Sequence, residues 1–469
     1  MTFGRKALWA ALGLALPVGG CAAVGPDYLR PAAIVPAHYK EIKGWKAATP
    51  RDDLAGTAWW KVFHDRELDT LEAQVAISNQ TLKADEANYR EALAFIAEAR
   101  AGLYPVLNFN PSITRSGAGS TASNNLSAQL SGTWMPDVWG RVRRAIEEQG
   151  AAAQVSAADL AFVTLSEQSA LAIAYVQLLE ADALDDLFTR TVKEYRHSLE
   201  ITQNQYNAGT AAKSDVITAQ ALVLAAQAQE ISVAVIRAQS QHAIAVLMGR
   251  PPSDLSVART KLPQGVPAIP VRLPSTLLER RPDIAAAERT MKEENAAIGV
   301  AIAGYYPDIT LSGAFGYSGD PFSALSAANP VWSYGLSLAQ PLFNGGLTDA
   351  QVEAARQAYL SSVATYRQTV LTAFQQVEDQ LAAVPILTRE LRVQEDAVKS
   401  ARQAVQIALN EYMAGTQNFT TVVTAEATAL TDEESALSTR VTRLTDVVTL
   451  VVALGGGWTT ADLPNPLGM

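Results

Sequence analysis

The chain carries one cysteine, Cys21, among 469 residues, so no intrachain disulfide can hold it together. Its four histidines, His38, His64, His197 and His242, lack any short metal-ligand spacing, and no second cysteine joins them. They read as solvated or packed side chains. Positive charge is scarce as well. Lys and Arg number 37 against 47 Asp and Glu, for a formal net charge of −10 without a basic stripe, which argues against a nucleic-acid partner. After Cys21 no run of eighteen apolar residues occurs, so a helical bilayer span is not expected, and any crossing would be made by strands.

A catalytic constellation is missing too. Gly316-Tyr317-Ser318-Gly319 is half of a hydrolase nucleophile elbow without the strand-to-helix context, and is expected to be a hairpin turn. Gly455-Gly456-Gly457 lacks the Lys-Ser/Thr of a phosphate loop and reads as a helix cap. Asp182, Asp185 and Asp186 read as a solvated helix face. No enzyme activity and no cofactor are expected.

What is present begins with an export signal. Arg5 and Lys6 precede the apolar run Ala7 to Val18, which has the length of a signal-peptide core. It ends in Val18-Gly19-Gly20-Cys21, small residues ahead of the sole cysteine, as at a bacterial lipoprotein cleavage site. Two readings of Cys21 follow: a lipid attachment point, or a buried thiol behind an ordinary cleavage site. The first is favoured because a lone thiol in an exported chain has no intrachain disulfide to form, and small residues precede it. A Cys21 bearing more than one acyl chain, palmitate included, would anchor stably. Ala22 stands where an aspartate would signal inner-membrane retention in lipoproteins, which favours the outer membrane.

The mature chain repeats itself. AGLYP at Ala101 to Pro105 recurs as AGYYP at Ala303 to Pro307, and Tyr206 to Thr210 (YNAGT) recurs as Tyr412 to Thr416 (YMAGT). Leu247-Met248-Gly249 likewise returns as Ala453-Leu454-Gly455. Three matches in one order, each about 200 residues apart, indicate a duplication. The expected organisation is a signal peptide over 1–20 and an extended segment over 21–66. A first repeat covers 67–250, a proline-rich connector 251–274, a second repeat 275–457 and a tail 458–469.

Each repeat is expected to run helix, two strands, very long helix, tight turn, long helix. Leu68, Leu71, Val75, Leu82, Tyr89, Leu93 and Ile96 recur at three- and four-residue spacing and predict one amphipathic helix over Leu68 to Gly102. Arg141 to Asn207 and Thr348 to Met413 lack helix breakers except Gly150 and Pro385. About 65 helical residues extend roughly 100 Å, a length typical of coiled coils and helical arrays. Strand signals follow each AGxYP. Leu107, Phe109 and Ile113 alternate with Asn108, Asn110, Ser112 and Thr114, and Leu126, Ala128, Leu130 and Trp134 with Ser127, Gln129, Ser131 and Thr133. In the second repeat Ile309, Leu311 and Phe315 alternate with Asp308, Thr310 and Ser312, and Trp332, Tyr334, Leu336 and Leu338 complete the set. Alternation alone fits either a half-buried soluble sheet or transmembrane strands. Four strands cannot close a barrel, so a membrane reading requires several subunits to share one.

The chain resembles the TolC/OprM outer-membrane efflux family, and within it the NodT-type lipoproteins. The resemblance is carried by CAAVGPDYLRP (Cys21 to Pro31), WWKVFHDRELDTL (Trp59 to Leu71), PDVWGR (Pro136 to Arg141), ERRPDIAAAE (Glu279 to Glu288), NAAIGVA (Asn295 to Ala301), QPLFNGG (Gln340 to Gly346) and ALGGGW (Ala453 to Trp458). It implies a mainly α fold with a membrane β-barrel portion. In this TolC-like homotrimer, four strands per protomer would build a twelve-stranded barrel and the helices a long periplasmic α-helical barrel. It implies an outer-membrane exit duct of a tripartite efflux system, served by a periplasmic adaptor (membrane fusion) protein and an inner-membrane transporter of the resistance-nodulation-division (RND) type. A channel for protein secretion driven by an ABC exporter is the alternative within the same family. The resemblance also places a periplasmic gate and adaptor contacts at the turns carrying Tyr206, Gly209 and Thr210, and Tyr412, Gly415 and Thr416. Asp215 and Tyr412 match a family pair that can hydrogen-bond in the closed state. Thr421 and Thr424 stand where acidic residues often line the entrance, which puts an acidic ring in doubt.

Overall fold

The computed structural model describes residues 23–33, 35–41, 58–269, 277–319 and 330–468. Cys21, the export signal and residues 270–274 of the connector therefore lie outside the described residues.

The first amphipathic segment forms two helices, α1 (Arg66–Ser78) and α2 (Gln80–Ala101), rather than the single one expected. Asn79 makes the break. Its Oδ1 caps α2 by accepting from the Leu82 amide, while its Nδ2 donates to Glu167 and to the Leu247 carbonyl. A short polar side chain that can bond its own backbone competes with helix propagation. The seven apolar positions keep their helical spacing across the break, which is why periodicity alone did not reveal it. Asp65 caps α1 by accepting from the Glu67 and Leu68 amides. Within α1, Glu72 is fully buried with neither carboxyl oxygen bonded, and burial pushes its pKa up to about 9.

Strands β1 (Val106–Ala118) and β2 (Thr121–Trp134) follow, then helices α3 (Arg141–Asn207) and α4 (Lys213–Leu247). Beyond the connector come α5 (Leu277–Arg280), α6 (Pro282–Ala303), β3 (Asp308–Gly319), β4 (Pro330–Ala339), α7 (Leu347–Met413) and α8 (Phe419–Ala453). Helices α3 and α7 are each 67 residues long. Pro385 sits inside α7 without ending it. Residues Gly316 to Gly319, expected as a turn, are the last residues of β3 and pair with β2, Gly316 opposite Gln129 and Gly319 opposite Leu126. The alternation of Phe315, Tyr317 and their neighbours had extended further than the glycines suggested.

The strands form one antiparallel sheet in the order β1-β2-β3-β4. Register places Phe109 opposite Leu130, Leu130 opposite Phe315, and Phe315 opposite Trp332, so one apolar row crosses all four strands. Trp134, Leu311 and Leu336 form a second row on the same face. The opposite face carries Asn110 beside Gln129 and Ser112 beside Ser127. Because side chains alternate with period two, a one-residue slip would exchange these faces, and the pattern thereby fixes the register.

The chain divides into two compact units. One comprises residues 1–29, 93–152 and 291–362, and contains the sheet; the other comprises 30–92, 153–290 and 363–469, and contains both helix turns. In the first, Arg144 clamps the amino-terminal segment, donating to the carbonyls of Val24 and Gly25 and pairing with Asp27 at 3.0 Å. In the second, the connector is tied down by arginines. Arg237 bonds the Val257 carbonyl and pairs with Asp182 at 2.6 Å, while Arg259 pairs with Asp185. Asp182 is only 4% exposed, so it is a buried ion-pair partner and not part of a solvated face. Its counterions come from a distant stretch, which helix-face reasoning cannot see.

Helices α3 and α4 each contain an 18-residue window long and apolar enough to cross a membrane, with mean hydropathy 1.2 and 1.4. The expectation of no such span rested on uninterrupted apolar runs, whereas alanine-rich segments reach this average with Gln and Ser interspersed. Ile217, Leu224, Ile231 and Val235 leave more than half of their area exposed on α4.

Candidate functional site

Two features of the chain stand out: the apolar face of the sheet, and the pair of helix turns. On the sheet the large side chains point away from protein. Phe109, Ile113, Trp332, Tyr334 and Leu338 are all at least 65% exposed. A soluble sheet would cover this face with a second layer. An exposed apolar face of this extent, backed by a face of Ser, Thr, Asn and Gln, has the two-sidedness of strands between lipid and water. Leu103 closes the base of the first hairpin, its carbonyl accepting from Trp134 Nε1 at 2.9 Å. Trp139 stacks on Tyr306 with ring centroids 5.0 Å apart and donates to the Pro307 carbonyl. Aromatic rings with one polar tip suit a membrane–water boundary.

The helix turns are built alike. Gly209 (φ 78°) and Gly415 (φ 76°) take the left-handed conformation, which costs glycine no Cβ clash. The Thr210 amide reaches back to the Gln205 carbonyl and the Thr416 amide to the Glu411 carbonyl, both at 2.9 Å. Each is the six-to-one bond of a Schellman ending, which satisfies carbonyls the helix leaves free. The threonine hydroxyls donate to the same carbonyls at 3.0 Å. Gln205 Nε2 donates to the Tyr412 carbonyl at 3.2 Å, joining the two turns. Tyr206, Gly209, Thr210, Tyr412, Gly415 and Thr416 thus come together at one end of the helical unit.

The remaining expected residues divide. Tyr412 is buried against Phe419, with ring centroids 5.2 Å apart, in a cluster with Ala219, Ala408 and Val422. No hydrogen bond joins Tyr412 to Asp215. Burial raises the Tyr412 pKa, and the Asp215 charge adds to the shift. Asp215 instead accepts from Ser214 at 3.4 Å and stands in the first turn of α4, where an acidic residue complements the helix dipole. Thr421 contributes its amide and hydroxyl to the Asn418 cap of α8, and Thr424 bonds the Thr420 carbonyl. Neither threonine is an acid, so these two positions supply no carboxylate.

One acid stands just beyond Thr424 in the sequence, and its burial was not legible there. Glu426 of α8 accepts a 2.5 Å hydrogen bond from Ser198 of α3, and both side chains are buried. An acidic residue on the apolar stripe shared by Val422 and Ala429 was the available signal.

Exposed apolar strand rows of membrane type and paired helix turns define an outer-membrane channel component. Residues 71–250 and 273–456 match the family "Outer membrane efflux protein". The chain is 29% identical to the probable efflux pump outer membrane protein TtgC of Pseudomonas putida over 97% of its own length and 96% of the relative's. It is also 29% identical to nodulation protein T of Rhizobium leguminosarum bv. viciae, over 97% and 95% of the two chains. Among solved structures, the outer-membrane channel OprN superposes with a TM-score of 0.86 at 28% identity, covering 93% of this chain and 99% of that one. The chain therefore belongs to the outer membrane efflux protein family, with a TolC-like fold.

Proposed function

We propose that three copies of this chain assemble into a passive duct through the outer membrane, the exit component of a tripartite efflux system for small molecules. The observation that carries the reading is the four-stranded sheet with an apolar outer face and two edges, β1 and β4, that have no partner within the described residues. Unpaired strand edges are not tolerated in lipid, since each bare amide or carbonyl there costs several kcal/mol. Three sheets edge to edge make a closed twelve-stranded barrel, and the exposed apolar side chains of α4 supply a face for neighbouring helices. The matching order of elements in the two halves supports an internal duplication, with the halves meeting at the β2–β3 pairing.

Cys21, acylated after signal cleavage, would tether the amino-terminal segment to the outer membrane, and the Arg144 clamp on Val24 and Gly25 would hold that tether near the sheet-bearing unit. The relatives are named as efflux-pump outer membrane proteins. By that likeness this chain takes its cargo from an inner-membrane transporter of the RND type through a periplasmic adaptor, which meets the turns at Tyr206 to Thr210 and Tyr412 to Thr416. These turns are the periplasmic gate. Asp215 and Tyr412 act on it through charge and burial rather than a mutual bond. The duct contributes no catalysis.

Planar-bilayer recording from the purified oligomer tests this reading. Discrete conductance steps without an energy source are expected, and Asp215→Ala should raise open probability. A protein that inserts and never conducts would overturn it.

A further inference from the structure

Glu426 lies on α8 eleven residues beyond Gly415 and is 5% exposed. Its Oε1 accepts from Ser198, and its Oε2 is buried with no hydrogen-bond partner. The surrounding charges do little to neutralise it. Helix α3 presents Glu194, Tyr195 and His197, with Arg190 and Lys193 on the same wall; α7 presents Arg402; α8 itself adds Glu433. Helix α4 contributes Val223 and Ala226, packed on Tyr195. Both arginines are drawn to Glu433, Arg402 at 2.6 Å and Arg190 at 3.8 Å. Burial pushes the Glu426 pKa up to about 7, the Ser198 bond opposes the shift, and the Glu194 charge adds to it.

An ionised carboxylate in this position has one hydroxyl for a partner and a like charge nearby. Burial disfavours the charged form of a carboxyl, and converging donors, two or three of them, are what offset it strongly; here there is one. The alternative to staying is close at hand. A cavity of about 500 Å³ opens beside Glu426, bordered by Lys193, His197 and Gln406 as well as by Val405, Leu409 and Leu430. The seat itself is continuous with the turns: Thr202 donates to the Ser198 carbonyl, and Phe419 and Val422, on the same helix as Glu426, pack on Tyr412.

We propose that Glu426 and Ser198 form a proton-operated latch between α8 and α3: the neutral carboxyl stays seated, and the ionised one swings into the adjoining cavity and frees the start of α8. The latch needs only this packing. Its effect on conduction rests on the turns being the gate, as proposed above.

Hydrogen exchange on the full-length protein, from about pH 4.5 to about pH 8 and corrected for intrinsic rates, reads the latch directly. Protection of residues 419–430 should fall as pH rises, by up to about tenfold per pH unit. Glu426→Gln should abolish the fall. Ser198→Ala should move its midpoint to lower pH, because it removes a bond that only the seated carboxyl makes. Oligomer mass and circular dichroism equal to those of the wild type confirm that each variant is folded. A profile without pH dependence in the wild type, a wild-type profile in Glu426→Gln, or an unmoved midpoint in Ser198→Ala would overturn the proposal. Release of α8 with unchanged bilayer conductance would uphold the latch and overturn the placement of the gate at these turns.

Discussion

At the α3–α4 turn Tyr206 is 40% exposed, whereas at the α7–α8 turn the matching Tyr412 is 6% exposed and packs on Phe419. The backbones of the two turns barely differ, with glycine φ angles of 78° and 76° and the same threonine bonds. The difference therefore lies in what the following helix brings back to the turn. Helix α8 returns Phe419 and Val422 beneath the tyrosine and begins with Asn418, whose side chain caps Thr421. Helix α4 begins with Ala212, which has no side-chain cap. Equal backbones with unequal packing make the second turn an anchored element and the first a freer one.

The largest test of that contrast is truncation of the two tyrosines. Tyr412→Ala should cost about 3–5 kcal/mol in denaturant unfolding, as loss of a buried aromatic ring does, and Tyr206→Ala about 0.5 kcal/mol or less. Equal losses would erase the distinction.

A second test uses pH. Glu426 belongs to the second hairpin, and the residue at the same distance beyond Gly209 is Gln220, which does not titrate. The folded state raises the carboxyl pKa from its ordinary 4.5 to about 7, so the folded chain keeps a proton that the unfolded chain releases. Stability is then greatest below pH 4.5 and declines as pH rises towards 7, by up to about 1.4 kcal/mol per unit. Glu426→Gln should flatten that share of the decline in a series of melts across the range. Gln220→Glu, on an exposed position of α4, should introduce no comparable slope.

Where the turns are alike, the variants should behave alike. A Cβ at Gly209 or Gly415 meets open space within 4 Å, so only backbone strain opposes a side chain there. Gly209→Val and Gly415→Val should each cost about 1–2 kcal/mol, and melts that differ widely between them would contradict the equality of the backbones. The smallest effect concerns the caps. Asn418→Ala should cost about 1 kcal/mol, and Ala212→Asn should recover a similar amount on the first hairpin.

Much of this architecture is written locally in the sequence. The limits of α3, Arg141 to Asn207, follow from an unbroken helical composition, and the four strands follow from period-two alternation that survives in the register. Gly209 and Gly415 could be placed as caps because only glycine accepts the left-handed turn cheaply. Features that depend on distant partners were not legible. The break at Asn79 is stabilised by Glu167 and the Leu247 carbonyl, and the burial of Asp182 by Arg237. The Glu426–Ser198 bond joins residues 228 positions apart. The bond anticipated between Asp215 and Tyr412 is not made in this structure, where the Tyr412 ring packs on Phe419.

The shared barrel follows from a sheet that cannot close by itself. Native mass determination of the mature chain, extracted in mild detergent, tests this most directly. Three copies per particle are predicted, with folding lost whenever the particle dissociates. A folded single chain with its four-stranded sheet intact in detergent would contradict the shared barrel and the duct built on it.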